Sequence, residues 1–134
     1  MRHISPSLLD ADFSNLQREC EMINNSSAEY LLIDVMDGVF VPNISYGFPV
    51  IEAIAKKAVK PLDVHLMIVD PDRYVERFAK AGADMISFHL NAVTDPVPVL
   101  EHIRSCGVLA GLTINPDIPV DSLFPYLEHC DFVM

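Results

Sequence analysis

The stretch YLLIDVMDGVFVPN, residues 30–43, decides the fold, because an apolar run meets carboxylates and a Gly turn there. Aliphatic and β-branched residues in such a run are typical of strands, and Gly after Asp is typical of a turn. Side chains alternate between the two faces of a strand, so Leu32, Asp34 and Met36 share one face. The stretch therefore predicts a buried strand that brings a carboxylate and a thioether to one side of a sheet.

A second apolar run, PLDVHLM at residues 61–67, has the same construction. Asp63, His65 and Met67 fall on one face of this strand by the same alternation. A carboxylate and an imidazole that converge at strand ends suit metal binding or proton transfer, and methionines form a soft wall that excludes water. We therefore predict a chemical site where the two strands end.

The composition indicates one globular domain over residues 1–134, because the chain is 51% hydrophobic and shows no disorder signature. No run reaches the ~20 apolar residues of a membrane span and no signal-peptide core is recognisable, so we expect a cytoplasmic protein. The net charge of −10 argues against nucleic acid and anionic membranes as partners. Cys20, Cys106 and Cys130 are widely spaced, which favours reduced structural thiols.

Strand-like and helix-like segments alternate along the chain. Apolar runs predict strands near residues 3–7, 30–36, 62–67, 84–89, 108–114 and from 131 onward. Amphipathic stretches predict helices near residues 12–25, 46–58, 71–81, 95–106 and 119–128. This alternation, with strands that are apolar on both faces, predicts a parallel sheet with right-handed crossovers. Local sequence leaves a doubly wound sheet and a (β/α) barrel open.

The number of units falls short of a closed barrel. About five βα units and the start of a sixth strand make an open arc, whereas a barrel closes at eight. The final run, residues 131–134, would leave an apolar edge uncovered, which proteins usually avoid. We therefore expect residues 1–134 to be a fragment of a longer chain. We also expect these residues on their own to self-associate and to lack enzymatic activity.

Several motifs occur in one order along the chain. They are ISPSLL at 4–9 with ADF at 11–13, IDVMDG at 33–38 with FVPN at 40–43, PLDVHLMIV at 61–69 with Pro71, AKAGAD at 79–84 and NP at 115–116. Together they resemble the ribulose-phosphate 3-epimerase family, which includes ribulose-5-phosphate and D-allulose-6-phosphate 3-epimerases. The resemblance covers the whole sequence and implies an α/β fold, a TIM (β/α)8 barrel of the ribulose-phosphate-binding type. Residues 1–134 would then be the N-terminal part of a single barrel domain.

The resemblance further implies an isomerase of the pentose phosphate pathway that acts on a small sugar phosphate and forms a homo-oligomer. Its reaction would invert C3 of ribulose 5-phosphate to give xylulose 5-phosphate through an enediolate. Inversion needs two acid/base groups on opposite faces of the carbon, with a metal to neutralise the oxygens. Asp34 matches one of the two family aspartates, and the resemblance implies that the second lies past residue 134.

The resemblance also implies roles for individual residues and a cofactor. The cofactor would be one divalent metal ion, Zn, Fe, Mn or Co, at the carboxyl ends of the strands. Asp34 and His65 would be metal ligands, and Ser7, His65, Met36 and Met67 would contact the substrate. The catalytic acid/base group in this sequence would be Asp34.

One residue departs from the family motif His-x-Asp-x-Met-Asp-Gly, because Leu32 stands where the motif has its first metal-binding histidine. Leucine cannot bind a metal, and two ligands seldom hold a divalent ion tightly. The sequence therefore predicts weak metal binding. It also leaves open a non-catalytic homologue that binds a sugar phosphate, whereas a metal-dependent decarboxylase of the same superfamily fits the strand at 61–67 less well.

Other residues near these strands have simpler interpretations. Asp37 with Gly38 predicts a tight turn after the first of the two strands. His89 ends the run at 84–89, near the predicted site. A structural role and a substrate-facing role are equally compatible with its position.

Overall fold

The computed structural model describes residues 3–134 and shows a five-stranded parallel sheet with its helices packed side by side in chain order. The predicted domain over 1–134 therefore includes two residues that lie outside the described ones. The order of strands in the sheet is their order in the chain, with every neighbouring pair parallel. This arrangement is the one that successive βα units produce.

The regular elements follow the predicted alternation closely. The strands are β1 (Leu31–Met36), β2 (Leu62–Met67), β3 (Met85–His89), β4 (Leu109–Thr113) and β5 (Phe132–Val133). The α-helices are α1 (Leu16–Asn24), α2 (Phe48–Ala55), α3 (Val75–Ala81) and α4 (Pro96–Ser105). 3₁₀ helices occupy Leu8–Asp10, Phe13–Asn15, Pro71–Tyr74, Leu90–Ala92 and Val120–His129.

Two of the helices begin or end where the sequence provides a cap. Asp95 accepts a hydrogen bond from the Val97 amide and precedes Pro96, so α4 starts with a side-chain cap and a proline in its first turn. Gly82 ends α3 in the left-handed conformation, with φ of 111°. No helix within residues 3–134 has the length and apolar character needed to cross a bilayer.

The two faces of the sheet differ in chemistry because the register of the strands keeps alternate residues aligned. One face is apolar and fully buried, and it carries Ile33, Val64, Leu66, Ile86, Phe88, Ala110 and Leu112. The other face carries the buried polar residues Asp34, Asp63, His65, Ser87, His89 and Thr113. The core of the protein therefore lies on the first face, and polar chemistry is confined to the second.

The predicted strand over residues 3–7 is wrong. Only Ser7 pairs with the sheet, through an isolated parallel bridge to Leu32. The carbonyl oxygens of Ile4 and Pro6 do accept hydrogen bonds from residues 29–32, but Pro6 has no N–H to return to β1. The segment therefore lies along β1 without forming a regular ladder.

The predicted helix over residues 119–128 is 3₁₀ rather than α. Its 3₁₀ helix runs from Val120 to His129 and contains Pro125. Proline removes one backbone donor and crowds the preceding turn of an α-helix, so a regular ladder of i to i−4 bonds cannot pass through it. Residues 12–25 and 71–81 likewise begin as 3₁₀ turns before α1 and α3 start.

Gly82 offers a test of how tightly α3 packs on α2. Ala at this position would place its Cβ 2.7 Å from the Cβ of Ala55 in addition to a φ of +111°, whereas Ala at Gly107 would have the same kind of φ but open space. The left-handed conformation costs about 1–2 kcal/mol for Ala, and overpacking adds about 1–3 kcal/mol. Chemical denaturation should therefore show a larger loss of unfolding free energy for Gly82→Ala than for Gly107→Ala. Equal losses would show that the helices separate at no cost.

Candidate functional site

Asp34 and His65 meet across neighbouring strands, as the sequence predicted. They are direct register partners in β1 and β2, and Asp34 Oδ1 lies 3.0 Å from His65 Nδ1. Each residue is 8% exposed. The pair sits toward the carboxyl ends of the two strands, where the loops that follow can approach it. The geometry that the sequence predicted for these two side chains is therefore present, while their chemical roles remain predictions.

Ser7 joins this pair from the segment before β1. Ser7 Oγ donates a hydrogen bond to Asp34 Oδ2. Ser7 Oγ also accepts a hydrogen bond from the Leu9 amide, at 3.0 Å. The second bond caps the 3₁₀ helix that starts at Leu8. Ser7 therefore orients Asp34 and caps a turn at the same time, and its predicted contact with substrate remains a prediction.

The surroundings of Asp34 favour its ionised form. Burial by itself disfavours the charge, but hydrogen bonds from His65 and Ser7 and the nearby imidazole outweigh it and lower the pKa of Asp34 below its ordinary value. Burial and the Asp34 charge together raise the pKa of Tyr46 to about 12. An ionised, partly desolvated carboxylate of this kind can accept a proton from a bound molecule.

His89 extends the hydrogen-bonded row beyond what the sequence resolved. Its Nε2 lies 2.9 Å from His65 Nε2, and the two rings stack with centroids 5.0 Å apart. Burial and the neighbouring His65 lower the pKa of His89, with Asn115 acting in the opposite direction. Asp34, His65 and His89 thus form a continuous row across three strands. The sequence contained one indication of this contact. Side chains alternate along each strand, and this alternation places His89 and His65 on the same face of the sheet.

Met36 and Met67 are register partners at the last residues of β1 and β2. They share the face that carries Asp34 and His65, and both side chains are only partly buried. Their arrangement agrees with the predicted methionine wall beside the site. Contact of these thioethers with a substrate remains a prediction.

The turn predicted at Asp37 and Gly38 is present and has a second function. Asp37 Oδ1 accepts hydrogen bonds from the Val39 and Phe40 amides, both at 2.8 Å, while Gly38 has φ of 74°. Asp37 Oδ2 accepts another from the Val69 amide, at 2.8 Å, in the segment that follows β2. One carboxylate therefore closes the turn and ties together the loops that follow the first two strands.

The residues in this chain do not fit a tightly held divalent metal. Asp34 and His65 offer two donors, but both ring nitrogens of His65 already have neighbours in Asp34 and His89. Leu32, on the same strand face, has no donor atom. Residues 3–134 contain no group of three or more His, Cys, Asp or Glu arranged to hold a metal ion. Protein metal sites with catalytic roles usually have at least three protein ligands.

Comparison with solved structures defines the class of fold to which this chain belongs. The Yersinia pestis protein DHPS aligns with a TM-score of 0.63 and 17% identity, covering 95% of this chain and 51% of the other. Orotidine 5'-monophosphate decarboxylase from Methanocaldococcus jannaschii aligns with a TM-score of 0.62 and 18% identity, covering 94% and 59%. These likenesses show the fold alone. The chain is an open, five-stranded part of the TIM-barrel architecture, which excludes the doubly wound sheet.

The sequence comparisons then place the chain within that class. The profile described as "Ribulose-phosphate 3 epimerase family" matches residues 3–134, and the chain belongs to this family. The ribulose-phosphate 3-epimerase of Synechocystis sp. is 47% identical over 133 residues, and that of Bacillus subtilis is 42% identical over 134. The matches cover 98% and 100% of this chain but 58% and 62% of the relatives. The chain thus spans about three fifths of the length of these relatives.

Two serines near the site allow a test of which hydrogen bonds support it. Ser45 Oγ accepts a hydrogen bond from the Met36 amide at 2.9 Å and donates one to the Asp34 carbonyl at 2.7 Å. Ser87 is fully buried, yet its hydroxyl has no hydrogen-bond partner within residues 3–134. Ser45→Ala should cost about 1–3 kcal/mol of unfolding free energy, because it leaves partly buried backbone groups unpaired. Ser87→Ala removes an unpaired buried hydroxyl and should be neutral or stabilising. Thermal or chemical denaturation of both variants measures the difference, and the reverse ranking would contradict the hydrogen-bond assignment.

Proposed function

We propose that this chain provides one acid/base half of an isomerase that inverts C3 of a ketose phosphate, converting ribulose 5-phosphate to xylulose 5-phosphate. The observation that carries the proposal is the ionised Asp34 carboxylate, held by Ser7 and His65 at the carboxyl end of β1 in a member of this family. The names of its relatives support ribulose phosphate over an allulose phosphate as the substrate.

In the proposed reaction Asp34 removes the proton from C3. The electron pair of the broken C–H bond moves toward the C2 carbonyl, which gives an enediolate. A second acid on the opposite face of the carbon then delivers a proton to C3, and the configuration inverts. His65 orients the Asp34 carboxylate, so that one of its oxygens faces the substrate consistently.

The second acid is not available among the described residues. Asp63 is the other buried carboxylate, but it lies nearer the amino end of β2, where it accepts a hydrogen bond from Ser5. It cannot face Asp34 across a carbon atom from that position on the same side of the sheet. We therefore assign the second proton transfer to a group beyond residue 134, and expect no net inversion from residues 1–134 alone.

A second candidate is a homologue that binds a sugar phosphate without turning it over. The specific observation in its favour is Leu32, which removes the donor that the family motif has at this position. The two candidates differ in one measurable property. The isomerase exchanges the C3 proton of bound ribulose 5-phosphate with solvent, and the binding protein does not.

Asp34→Asn tests the assignment of the acid/base group. The amide preserves the shape of the side chain but cannot take up the C3 proton, so the rate of C3 deuterium incorporation in heavy water should fall by about 10²–10⁴-fold. Asp95→Asn, at the start of α4, is the control and should keep the rate of the unmodified protein. Mass spectrometry of recovered ribulose 5-phosphate gives the rate. Unchanged exchange in Asp34→Asn would exclude Asp34 as the base.

Leu32→His tests the weak metal binding that we propose. The new imidazole restores a donor on the face that carries Asp34 and His65, so affinity for Zn²⁺, Mn²⁺ or Co²⁺ should rise at least tenfold, about 1.4 kcal/mol. Val59→His adds an imidazole at an exposed position between α2 and β2, away from the site, and should leave affinity unchanged. Isothermal titration with each metal measures the constants. Tight stoichiometric binding by the unmodified protein would contradict the ligand assignment.

A further inference from the structure

The ring of Phe40 lies against His89, although the strands to which the two residues are attached are not neighbours in the sheet. Their ring centroids are 5.0 Å apart with an angle of 51° between the planes. Phe40 follows β1, whereas His89 ends β3, which is two strands away in the sheet. The loop of residues 37–45, here named the β1 loop, must therefore reach across the end of β2 to make this contact.

The first anchor of the β1 loop is Asp37. Its Oδ1 receives the amides of Val39 and Phe40, so it fixes the backbone at Phe40 itself. Its Oδ2 receives the amide of Val69, which follows β2. Gly38 supplies the left-handed turn, and a side chain there would meet Ile44 at 2.7 Å. The Asp37 carboxylate thus fixes the start of the β1 loop by hydrogen bonds and also binds the segment that follows β2.

The second anchor lies where the β1 loop returns to the sheet. Ser45 is bonded to the backbone of both Asp34 and Met36, and Ile44 forms an antiparallel bridge with Asp37. A cavity of about 370 Å³ adjoins this part of the loop and has Asp37, Ile44 and Ser45 in its wall. The two ends of the β1 loop are therefore not closely packed on the side that faces this cavity. The direction of the loop depends on the polar anchors instead.

We propose that Asp37 is a positioning residue that lays the Phe40 ring over His89 and so covers one side of the row formed by Asp34, His65 and His89. An aromatic ring in this place keeps water from the imidazole pair. With less competition from water, the hydrogen bonds of the row are stronger and hold Asp34 in one orientation. The effect on turnover rests on the proposed function, whereas the placement of the ring does not.

The placement is tested by the NMR signals of the His89 ring protons, which feel the ring current of Phe40. Phe40→Leu removes the aromatic ring and should shift these signals, whereas Phe40→Tyr keeps a ring and should largely retain them. His102 is the internal reference, because it lies on α4 and pairs with Asp72 away from the site. Its signals should stay in place in every variant.

The role of Asp37 is tested with Phe40 left unchanged. Asp37→Ala removes all three acceptor contacts, and Asp37→Asn is a milder variant that retains one carbonyl oxygen. Both should shift the His89 ring signals toward those of Phe40→Leu, with a smaller shift for Asn. Asp12→Ala is the matched control, since Asp12 also caps a turn. Its carboxylate accepts hydrogen bonds from the Ser14 amide and from the Asn15 side chain. Asp12→Ala should not move the His89 signals.

Activity provides a separate measurement. Phe40→Leu and Asp37→Asn should lower the maximal rate of C3 deuterium incorporation into ribulose 5-phosphate at least fivefold, with less than a twofold change in the substrate concentration that gives half this rate. Phe40→Tyr should retain the rate of the unmodified protein. Unmoved His89 signals in Phe40→Leu would overturn the placement of the ring, and unmoved signals in Asp37→Ala would overturn the role of Asp37. Shifted signals with an unaltered rate of C3 exchange would overturn the positioning role. If the signals shift as expected but the unmodified protein does not exchange the C3 proton of ribulose 5-phosphate, the proposed function fails and the placement stands.

Discussion

The parallel register between β1 and β2 is the constraint on which the site depends. It sets Asp34 opposite His65 and, one repeat later, Met36 opposite Met67. A slip of one residue would turn every side chain of a strand to the other face. The slip would put the carboxylate against the apolar core and would expose Ile33 on the polar face. Packing of the apolar face therefore determines which side chains meet in the site, although none of the packed residues takes part in it.

The polar face has a cost that the apolar face offsets. Among the described residues, Asp63 Oδ1, Ser87 Oγ, His89 Nδ1 and Thr113 Oγ1 are buried on this face without a hydrogen-bond partner. An unpaired buried polar atom costs about 1–3 kcal/mol. The fully buried aliphatic and aromatic side chains of the opposite face supply the stabilisation that tolerates it. Stability and chemistry are thus divided between the two sides of one sheet, and spare hydrogen-bonding capacity is concentrated beside the site.

The success of the sequence-based predictions varied with how local their causes were. The strand over 62–67 was predicted to the residue, and its apolar run begins directly after Pro61. The strand over 3–7 failed because pairing depends on donors, and Pro6 lacks one. Residues 120–129 form a 3₁₀ helix because of Pro125. The prediction of an α-helix there relied on the amphipathic pattern and gave too little weight to this proline. Periodicity thus located the elements, while backbone hydrogen bonding decided their type.

Local order along the chain was enough to establish the alternation of strands and helices, the family motifs, the parity that unites Asp34 with His65, and the missing donor at Leu32. These properties depend on spacing of a few residues, which a sequence displays directly. Three contacts could be seen only in the folded chain: the one between His65 and His89, the one between the Phe40 ring and His89, and the hydrogen bond from the Val69 amide to Asp37. Each of these contacts joins segments that are far apart in sequence, and their distance depends on how strands pair and loops cross the sheet, which no local pattern contains.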